Sequence, residues 1–378
     1  MDLNLMPDNP YVLLTPGPLS TSKSVRAAMF RDWCTWDAEY NDIVQAVRSR
    51  LVALATDTPG YTSVLMQGSG TFSVESCITT AVPDDGHLLV LANGHYGERM
   101  ARIAERAGIQ ATMLDFGETD AVEPGVVREE LANDPTISHV AVVHCETTTG
   151  MLNPVEAIGS VVKEAGRIYI VDAMSSFGGI PMDMAGIGAD FLVSSANKCI
   201  QGVPGFGFIL ARRSEMETLE GRARSLSLDA YEQWKVMEDK GGKWRFTSPT
   251  HVVRAFAQAL DELQAEGGVA ARHARYSENQ RLLVQGLREL GFRTLLPDVL
   301  QSPIITSFLY PETGAFEFGE FYSRLKAMGY VIYPGKVTGA ATFRIGTIGE
   351  FGPQDVPGLL KAVAQALDEM QGEQTVGS

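Results

Sequence analysis

Cysteine is scarce in this chain, and the few cysteines are not spaced for a metal site or a disulfide framework. The four residues are Cys34, Cys77, Cys145 and Cys199, and none forms a CxxC pair. Structural zinc sites use closely spaced ligand pairs, and the histidines do not show such spacing either. We therefore expect free thiols, no bound metal and a reducing, cytoplasmic setting.

Long apolar runs and an excess of positive charge are also missing. No uninterrupted apolar stretch is long enough to span a membrane, and the first residues lack the basic and apolar regions of a signal peptide. The 31 basic and 46 acidic residues give a formal net charge of −15. Such a surface repels nucleic-acid phosphates and anionic lipids. We expect a soluble protein with neither nucleic-acid nor membrane partners.

The middle of the chain alternates short apolar runs with amphipathic segments. The runs that predict buried strands are 87–92, 139–145, 167–172, 190–194 and 205–211. The segments that predict helices between them include 100–107 and 154–165. This βαβ rhythm favours an α/β fold with a large, mostly parallel sheet that is covered by helices on both faces.

The pattern changes after about residue 249, and 378 residues are more than one domain usually needs. Helical stretches at 252–264 and 268–290 precede the remaining predicted elements, which are strands at 304–309, 331–333 and 342–345 and helices at 316–328 and 356–370. Prolines near the start of the chain predict an extended arm. We predict an N-terminal arm at 1–14, a large domain at 15–265 and a smaller C-terminal α+β domain at 266–378.

Two sequence features at the ends of predicted elements suit an anionic, aromatic ligand, because open α/β sheets bind ligands at strand ends. Ser69, Gly70 and Thr71 precede a helix whose free N–H groups suit a phosphate, although an ordinary capped turn is the alternative. Asp172 ends an apolar strand, where a carboxylate can hold a protonated ring nitrogen. A helix-capping aspartate is the alternative there.

Two further features add a nucleophile and an anion clamp. Lys198 follows a buried strand, where desolvation lowers the pKa of an amine; an exposed loop lysine is the alternative. Arg344 lies among apolar strand residues, and its fork matches a carboxylate or a phosphonate; a structural salt bridge is the alternative. The four features together supply a phosphate cradle, a ring-nitrogen partner, a Schiff-base lysine and an anion clamp, as pyridoxal phosphate requires.

Longer motifs extend this set over nearly the whole chain. They are LTPGPL at 14–19, CTWD at 34–37, GSGTF at 68–72, NGHYGER at 93–99, HCETTTG at 144–150, VDAMSS at 171–176, SSANK at 194–198, TSPTH at 247–251 and FRIG at 343–346. In these motifs the chain resembles the class-V aminotransferases, which are fold-type I (aspartate aminotransferase-like) pyridoxal-phosphate enzymes. Within that family it resembles the 2-aminoethylphosphonate–pyruvate transaminases.

The resemblance implies how the cofactor is held and used. Lys198 would form the covalent bond to pyridoxal phosphate and then carry the proton during amine transfer. Asp172 would hold the pyridinium nitrogen and keep the ring an electron sink. The cofactor phosphate would be bound by Ser69, Gly70 and Thr71.

The resemblance also assigns four residues around the ring and the substrate. Tyr96 would stack on the ring, where some relatives have tryptophan, and Thr147 would lie near the phenolic oxygen of the ring. Thr247 would reach the phosphate of the neighbouring subunit's cofactor, which implies a homodimer with active sites at the interface. Arg344 would bind the anionic group of the substrate.

The implied function is an amino transfer in phosphonate catabolism, with no metal. The transaminase would move the amino group of 2-aminoethylphosphonate to pyruvate and release phosphonoacetaldehyde and L-alanine. An alanine–glyoxylate or serine–pyruvate aminotransferase on the same scaffold is the nearest alternative. A cysteine desulfurase using Cys199 and a non-catalytic anion-binding protein remain as more distant alternatives.

Overall fold

The structure, a computed structural model, describes residues 2–312 and 316–376. Its strands are β1 (Val12–Leu13), β2 (Tyr61–Gly68), β3 (His87–Ala92), β4 (Gln110–Asp115), β5 (His139–Val143), β6 (Cys145–Glu146), β7 (Met151–Leu152), β8 (Ile168–Asp172), β9 (Phe191–Ser195), β10 (Gly205–Arg212), β11 (Ile305–Leu309), β12 (Tyr330–Val331), β13 (Tyr333–Pro334) and β14 (Thr342–Gly346). Its α-helices are α1 (Lys23–Ala27), α2 (Ala38–Ala55), α3 (Gly70–Ala81), α4 (His95–Arg106), α5 (Pro124–Asn133), α6 (Val155–Glu164), α7 (Met184–Ile187), α8 (Arg213–Met216), α9 (Ala230–Asp239), α10 (Thr250–Glu266), α11 (Gly268–Glu289), α12 (Phe318–Ala327) and α13 (Val356–Val376).

A seven-stranded sheet forms the large part of the molecule, with the strand order β2-β10-β9-β8-β5-β3-β4. Strand β10 runs antiparallel to both of its neighbours, whereas the other neighbouring pairs are parallel. The β9–β10 connection at 196–204 is too short for a helical crossover, so this strand must reverse. The predicted mostly parallel sheet is confirmed, and the other six strands end at one common edge.

The central strands are buried and mostly apolar because helices cover both faces of the sheet. Every residue of β3, β5 and β9 is buried, and their side chains join one core with those of helices such as α3, α6 and α10. Phe206 on β10 packs edge-on against Phe256 of α10, with ring centroids 5.1 Å apart. Pairs of this kind add about 0.5–1.5 kcal/mol to the burial of their surface.

A smaller unit follows, in which an antiparallel sheet of order β11-β14-β13 packs with α11, α12 and α13 around a second core. The N-terminal arm belongs to this unit in space, since Val12 pairs with Tyr330 and Leu14 is buried in the second core. The arm is extended apart from a 3-10 turn at Leu3–Leu5. The domain boundaries after residues 14 and 265 stay predictions.

Within residues 2–312 and 316–376, no helix combines the length and the apolar character that a membrane crossing requires. The same residues contain no group of three or more His, Cys, Asp and Glu side chains placed to hold a metal ion.

The packing of α6 against α7 makes a testable demand on Gly159. A Cβ atom at this buried position would lie 1.9 Å from the carbonyl oxygen of Ile187, so the two helices would have to separate. We expect Gly159→Ala to lower stability by about 1–3 kcal/mol. Urea unfolding measures this change.

Gly125 in α5 is the matched control, because a Cβ there meets nothing within 4 Å. Gly125→Ala should be neutral or stabilise the protein by up to about 1 kcal/mol through helix propensity. Equal unfolding midpoints for the two variants would contradict the packing argument.

Candidate functional site

The common edge of the sheet brings the predicted site residues together. Gly68 ends β2, Asp172 ends β8, and Lys198 follows β9 by three residues. The antiparallel β10 starts at the same edge, where Gly205 pairs with Gly68. Tyr96 is the second residue of α4, which begins three residues after β3 ends. The strand-end positions that the sequence predicts are therefore neighbours in space.

The loop at Ser69 leads directly into α3 and leaves the start of that helix open. Ser69 is the N-cap residue, but its side chain makes no capping hydrogen bond and is exposed. Gly70 is tightly packed, since a Cβ there would lie 2.2 Å from Sδ of Met174. The free N–H groups of the first helical turn and the hydroxyls of Ser69 and Thr71 make this loop suitable for a phosphate.

Asp190 and Asp172, two buried aspartates of the sheet, differ in how many hydrogen-bond partners their carboxylates have. Asp190 is 1% exposed, and its carboxylate accepts from Lys163 at 2.7 Å, Arg212 at 3.2 Å and the backbone of Tyr169 at 2.8 Å. Asp172 is equally buried, but only Oδ1 has a partner, the N–H of Met174 at 2.9 Å.

The second oxygen of Asp172, Oδ2, is buried and has no hydrogen-bond partner in the described structure. Burial raises the pKa of this carboxyl, and the hydrogen bond from Met174 and nearby cations oppose the shift. A lone buried oxygen is costly unless a ligand supplies the missing donor. A cationic ring nitrogen is such a donor, and it would restore the ionised form.

Lys198 is held in a partly buried turn rather than exposed in a loop. Its Nζ donates to the carbonyl oxygen of Pro16 at 2.8 Å, so the N-terminal arm touches the site. Gly17 has a φ of +113°, and a Cβ there would lie 2.7 Å from Cδ of Lys198. Burial lowers the pKa of the Lys198 amine, which favours the neutral, nucleophilic form.

A network that the sequence did not predict fixes the turn around Lys198. Gln201 has a left-handed φ of 68°, and its N–H donates to the Lys198 carbonyl at 2.7 Å. Its side chain donates to the Tyr276 hydroxyl at 2.6 Å, and Arg272 donates to the Cys199 carbonyl at 2.8 Å. Helix α11 therefore supports the turn that contains Lys198. The left-handed backbone of Gln201, which is unusual for a residue other than glycine, is the feature that indicates a structural constraint at this turn.

The segments that carry Tyr96 and Thr147 are joined by a buried carboxyl, that of Glu146, which the sequence did not single out. Glu146 is 0% exposed and accepts from the backbone of Tyr96 at 3.2 Å and of Thr148 at 3.0 Å. Burial raises the pKa of Glu146. Burial also acts to raise the pKa of Tyr96, but a hydrogen bond with Thr147 and the charges of Lys198 and Lys336 outweigh it, and the pKa falls.

Arg344 is buried without the counter-ion that its burial would normally require. Its Nε donates to the Pro334 carbonyl at 3.0 Å and its Nη1 to the Thr147 carbonyl at 2.6 Å. It makes no salt bridge within the described residues, whereas the equally buried Arg272 pairs with Glu266 at 2.6 Å. Burial lowers the pKa of Arg344. Arg344 is thus positioned by neutral acceptors and open to an anion.

Thr247, like Ser69, lies at the surface, but on the segment that precedes α10. It is exposed between the half-exposed ring of Phe246 and the buried Ser248, whose hydroxyl lies 2.8 Å from that of Tyr40. A residue that serves a partner's site is expected to be exposed in a single chain.

The residues present fit pyridoxal phosphate, the cofactor that the resemblance implies. The open start of α3 suits its phosphate, the unpartnered Oδ2 of Asp172 suits its ring nitrogen, and the desolvated amine of Lys198 suits its aldehyde. Each of these three protein groups matches a different group of the cofactor, and none of them forms an ion pair within the described residues.

Comparisons with solved structures place the fold. The chain superposes on pyridoxamine–pyruvate aminotransferase from Mesorhizobium loti with a TM-score of 0.88 at 23% identity, covering 96% of this chain and 93% of that one. Alanine–glyoxylate aminotransferase from Nostoc superposes with a TM-score of 0.87 at 23% identity, covering 97% and 98%. At this identity the likeness concerns the fold, and it confirms the predicted aminotransferase architecture.

Sequence comparisons give the family. The chain is 68% identical to a 2-aminoethylphosphonate–pyruvate transaminase of Syntrophobacter fumaroxidans, over 96% of this chain and 97% of the relative. It is 60% identical to a protein of the same name from Bacteroides fragilis, over 94% and 99%. Residues 20–324 match the family model described as aminotransferase class-V. The chain therefore belongs to the class-V aminotransferase family, and its cofactor is pyridoxal phosphate.

Proposed function

We propose that this aminotransferase moves the amino group of 2-aminoethylphosphonate to pyruvate and releases phosphonoacetaldehyde and L-alanine, as a step of phosphonate catabolism. The reaction class is carried by one observation: Asp172 and Arg344 are buried and Lys198 is partly buried, and none of the three has an ionic partner among the described residues. The choice of substrates is supported by the printed names of relatives that are 59–68% identical over nearly the whole chain.

Pyridoxal phosphate, when bound, supplies an electron sink that allows the C–H bond next to the substrate amine to break. We assign Ser69, Gly70 and Thr71 to its phosphate, and Asp172 to its ring nitrogen. Lys198 is the residue that bonds to it covalently. Nζ of Lys198 would also hold the proton that leaves the substrate carbon and deliver it as the amino group is transferred, because burial lowers the pKa of this amine.

We assign Tyr96 to the ring face and Thr147 to the neighbourhood of the phenolic oxygen. Glu146 holds both by fixing the first turn of α4 and the turn that contains Thr147. Arg344 binds the anionic end of each substrate, first a phosphonate and then a carboxylate. Its guanidinium is anchored through Nε and Nη1, which leaves the rest of the fork for the ligand.

The alternatives account less well for the site. A cysteine desulfurase needs a mobile, reactive thiol, but Cys199 is buried, donates to the Ser175 carbonyl at 3.1 Å and has its pKa raised by burial to about 12. An alanine–glyoxylate or serine–pyruvate aminotransferase would use the same catalytic groups. It remains the second candidate, and the substrate profile described below separates it from the first.

We further propose a homodimer with Thr247 in the partner's site. Several large apolar side chains are exposed: Phe72, which follows Thr71 in the sequence, Phe246, which precedes Thr247, and Trp36, which is 79% exposed. Apolar side chains grouped at a surface mark interaction sites. The four cysteines are free, which favours the reducing environment of the cytoplasm for this dimer.

The amine profile with pyruvate as acceptor tests the proposed function. We expect 2-aminoethylphosphonate to be converted with a kcat/KM well above those of serine, and of alanine with glyoxylate. The Lys198→Ala variant is the control, and it should lose both the activity and the visible absorbance that borohydride bleaches. Preference for alanine and glyoxylate would replace the proposal by the second candidate.

Arg344→Lys tests the shared anion clamp. Lysine keeps the charge but loses the fork, so binding of both 2-aminoethylphosphonate and pyruvate should weaken, by roughly tenfold or more each. Steady-state kinetics with each substrate varied in turn measures this. Unchanged KM values for both substrates would rule out this function for Arg344.

Mixing two inactive variants tests the shared interface. Lys198→Ala lacks the amine, and Thr247→Glu places a negative charge where the partner's phosphate would bind. After subunit exchange, about half of the dimers are mixed and each has one intact site, so about a quarter of the wild-type activity should return. Absence of recovery in dimers shown to be mixed by purification through two different affinity tags, one on each variant, would place Thr247 in its own chain's site.

A further inference from the structure

A phosphonate substrate makes demands that Arg344 alone does not meet. Near neutral pH a phosphonate carries close to two negative charges, as a phosphate monoester does, whereas a carboxylate carries one. In 2-aminoethylphosphonate the anion is also one carbon farther from the amine than in alanine, a displacement of about 1.5 Å. The following inference rests on the proposed function and concerns the second cation that such a substrate requires.

A basic cavity opens next to Tyr96 and is lined mostly by residues of α4. It has a volume of about 510 Å³. Its lining contains four basic residues, Arg99, Arg102, Arg106 and Lys336, and two acidic residues, Glu75 and Glu98. An excess of cations is unusual in a chain with a net charge of −15. A local excess of this kind attracts anions in spite of the global charge.

Lys336 lies on the loop between β13 and β14, the strands that hold Arg344. Its Nζ is 5.6 Å from the centre of the Tyr96 ring, and its carbonyl oxygen is 3.2 Å from Nε2 of His95. The backbone contact ties this loop to the start of α4. The described residues provide no carboxylate within ion-pair distance of Nζ, so the charge of Lys336 is available to a ligand.

Arg99 approaches the same ring from α4. Its guanidinium carbon lies 4.6 Å from the centre of Tyr96, and its Nε is buried without a hydrogen-bond partner in the described structure. Arg99 has no ion pair among the described side chains either. Arg99 and Lys336 therefore both lie close to the Tyr96 ring, and neither has an ion pair among the described residues.

We propose that Lys336 and Arg99 form a subsite for the phosphonate group, which adds to Arg344 the second charge that a dianion requires. The lowered pKa of Tyr96, to which the charges of Lys198 and Lys336 contribute, indicates that the cavity and the lysine site share one electrostatic environment. The carboxylate of pyruvate or alanine is satisfied by Arg344 and does not need the subsite. Lys336 and Arg99 thereby determine specificity between the two half-reactions.

Lys336→Gln, studied in the holoenzyme, separates the two half-reactions. Each is followed in single turnover by the cofactor absorbance, with 2-aminoethylphosphonate in one experiment and L-alanine in the other. We expect the apparent affinity for the phosphonate to fall roughly ten- to hundredfold and that for alanine to stay within about twofold. Lys336→Arg should restore most of the loss, and Arg99→Gln should show the same selective defect as Lys336→Gln.

Direct binding provides a readout that is independent of turnover. Calorimetric titration with ethylphosphonate and with propionate should show weakened binding of the phosphonate alone in Lys336→Gln, and of both ligands in Arg344→Lys. Arg106→Gln is the matched control, because it also removes one positive charge from the lining of this cavity. Arg106 lies seven residues after Arg99 on α4, about 10 Å farther along the helix. It should bind both ligands as the unaltered enzyme does.

Three outcomes would overturn the subsite. They are equal losses for phosphonate and carboxylate in Lys336→Gln, no loss for either, or an equal selective loss in Arg106→Gln, which would indicate a diffuse field. Failure of the proposed function would look different, since the unaltered enzyme would then not react with 2-aminoethylphosphonate at all. The alanine half-reaction of each variant verifies that the protein is folded.

Discussion

The rest of the structure is arranged around one constraint: Asp172 and Arg344 are buried and Lys198 is partly buried, and none of them has an ionic partner among the described residues. An isolated buried charge costs several kcal/mol, and these three are retained at the edge of a sheet that supplies apolar packing on both faces. The other buried charges show that the chain can pair such groups, since Asp190 and Arg272 have full sets of partners. The lack of ionic partners is therefore particular to these three groups, which supports the proposal that a ligand completes their electrostatics.

Keeping such groups in place requires contacts from outside the large sheet. The small domain supplies Arg344 on β14, and the guanidinium is oriented by the carbonyl of Thr147 from the large domain. The arm supplies the carbonyl of Pro16 to Lys198, and α11 braces the same turn through Gln201. The distance between the Lys198 amine and the Arg344 guanidinium is thus set by how the two cores dock. Mutations at this junction are expected to change substrate binding without touching a ligand.

The sequence predicts the parts of this arrangement that follow from strand periodicity. Asp172 and Lys198 could be recognised because each follows an apolar run, and the ends of parallel strands meet at one edge. Arg344 could be recognised as a charge in an apolar strand. Gln201 and Glu146 could not, because their importance lies in a backbone conformation and in contacts with residues about 50 or more positions away. The antiparallel direction of β10 follows from the short connection between β9 and β10, and the pattern of apolar runs alone does not indicate strand direction.

An acidic protein that acts on anions must attract them in spite of its net negative charge. Whether it can do so depends on how far the surface charges act compared with the charges of the site. Screening limits interactions between exposed charges to about 8–10 Å at physiological ionic strength. The net charge of −15 is spread over the surface of the whole chain, so most of it acts from beyond that range. Around Tyr96, the basic groups of Arg99, Arg102, Arg106, Lys336, Lys198 and Arg344 outnumber the carboxyl groups of Glu75, Glu98 and Glu146. The local sign is therefore positive, and a ligand with two charges gains more from it than a ligand with one.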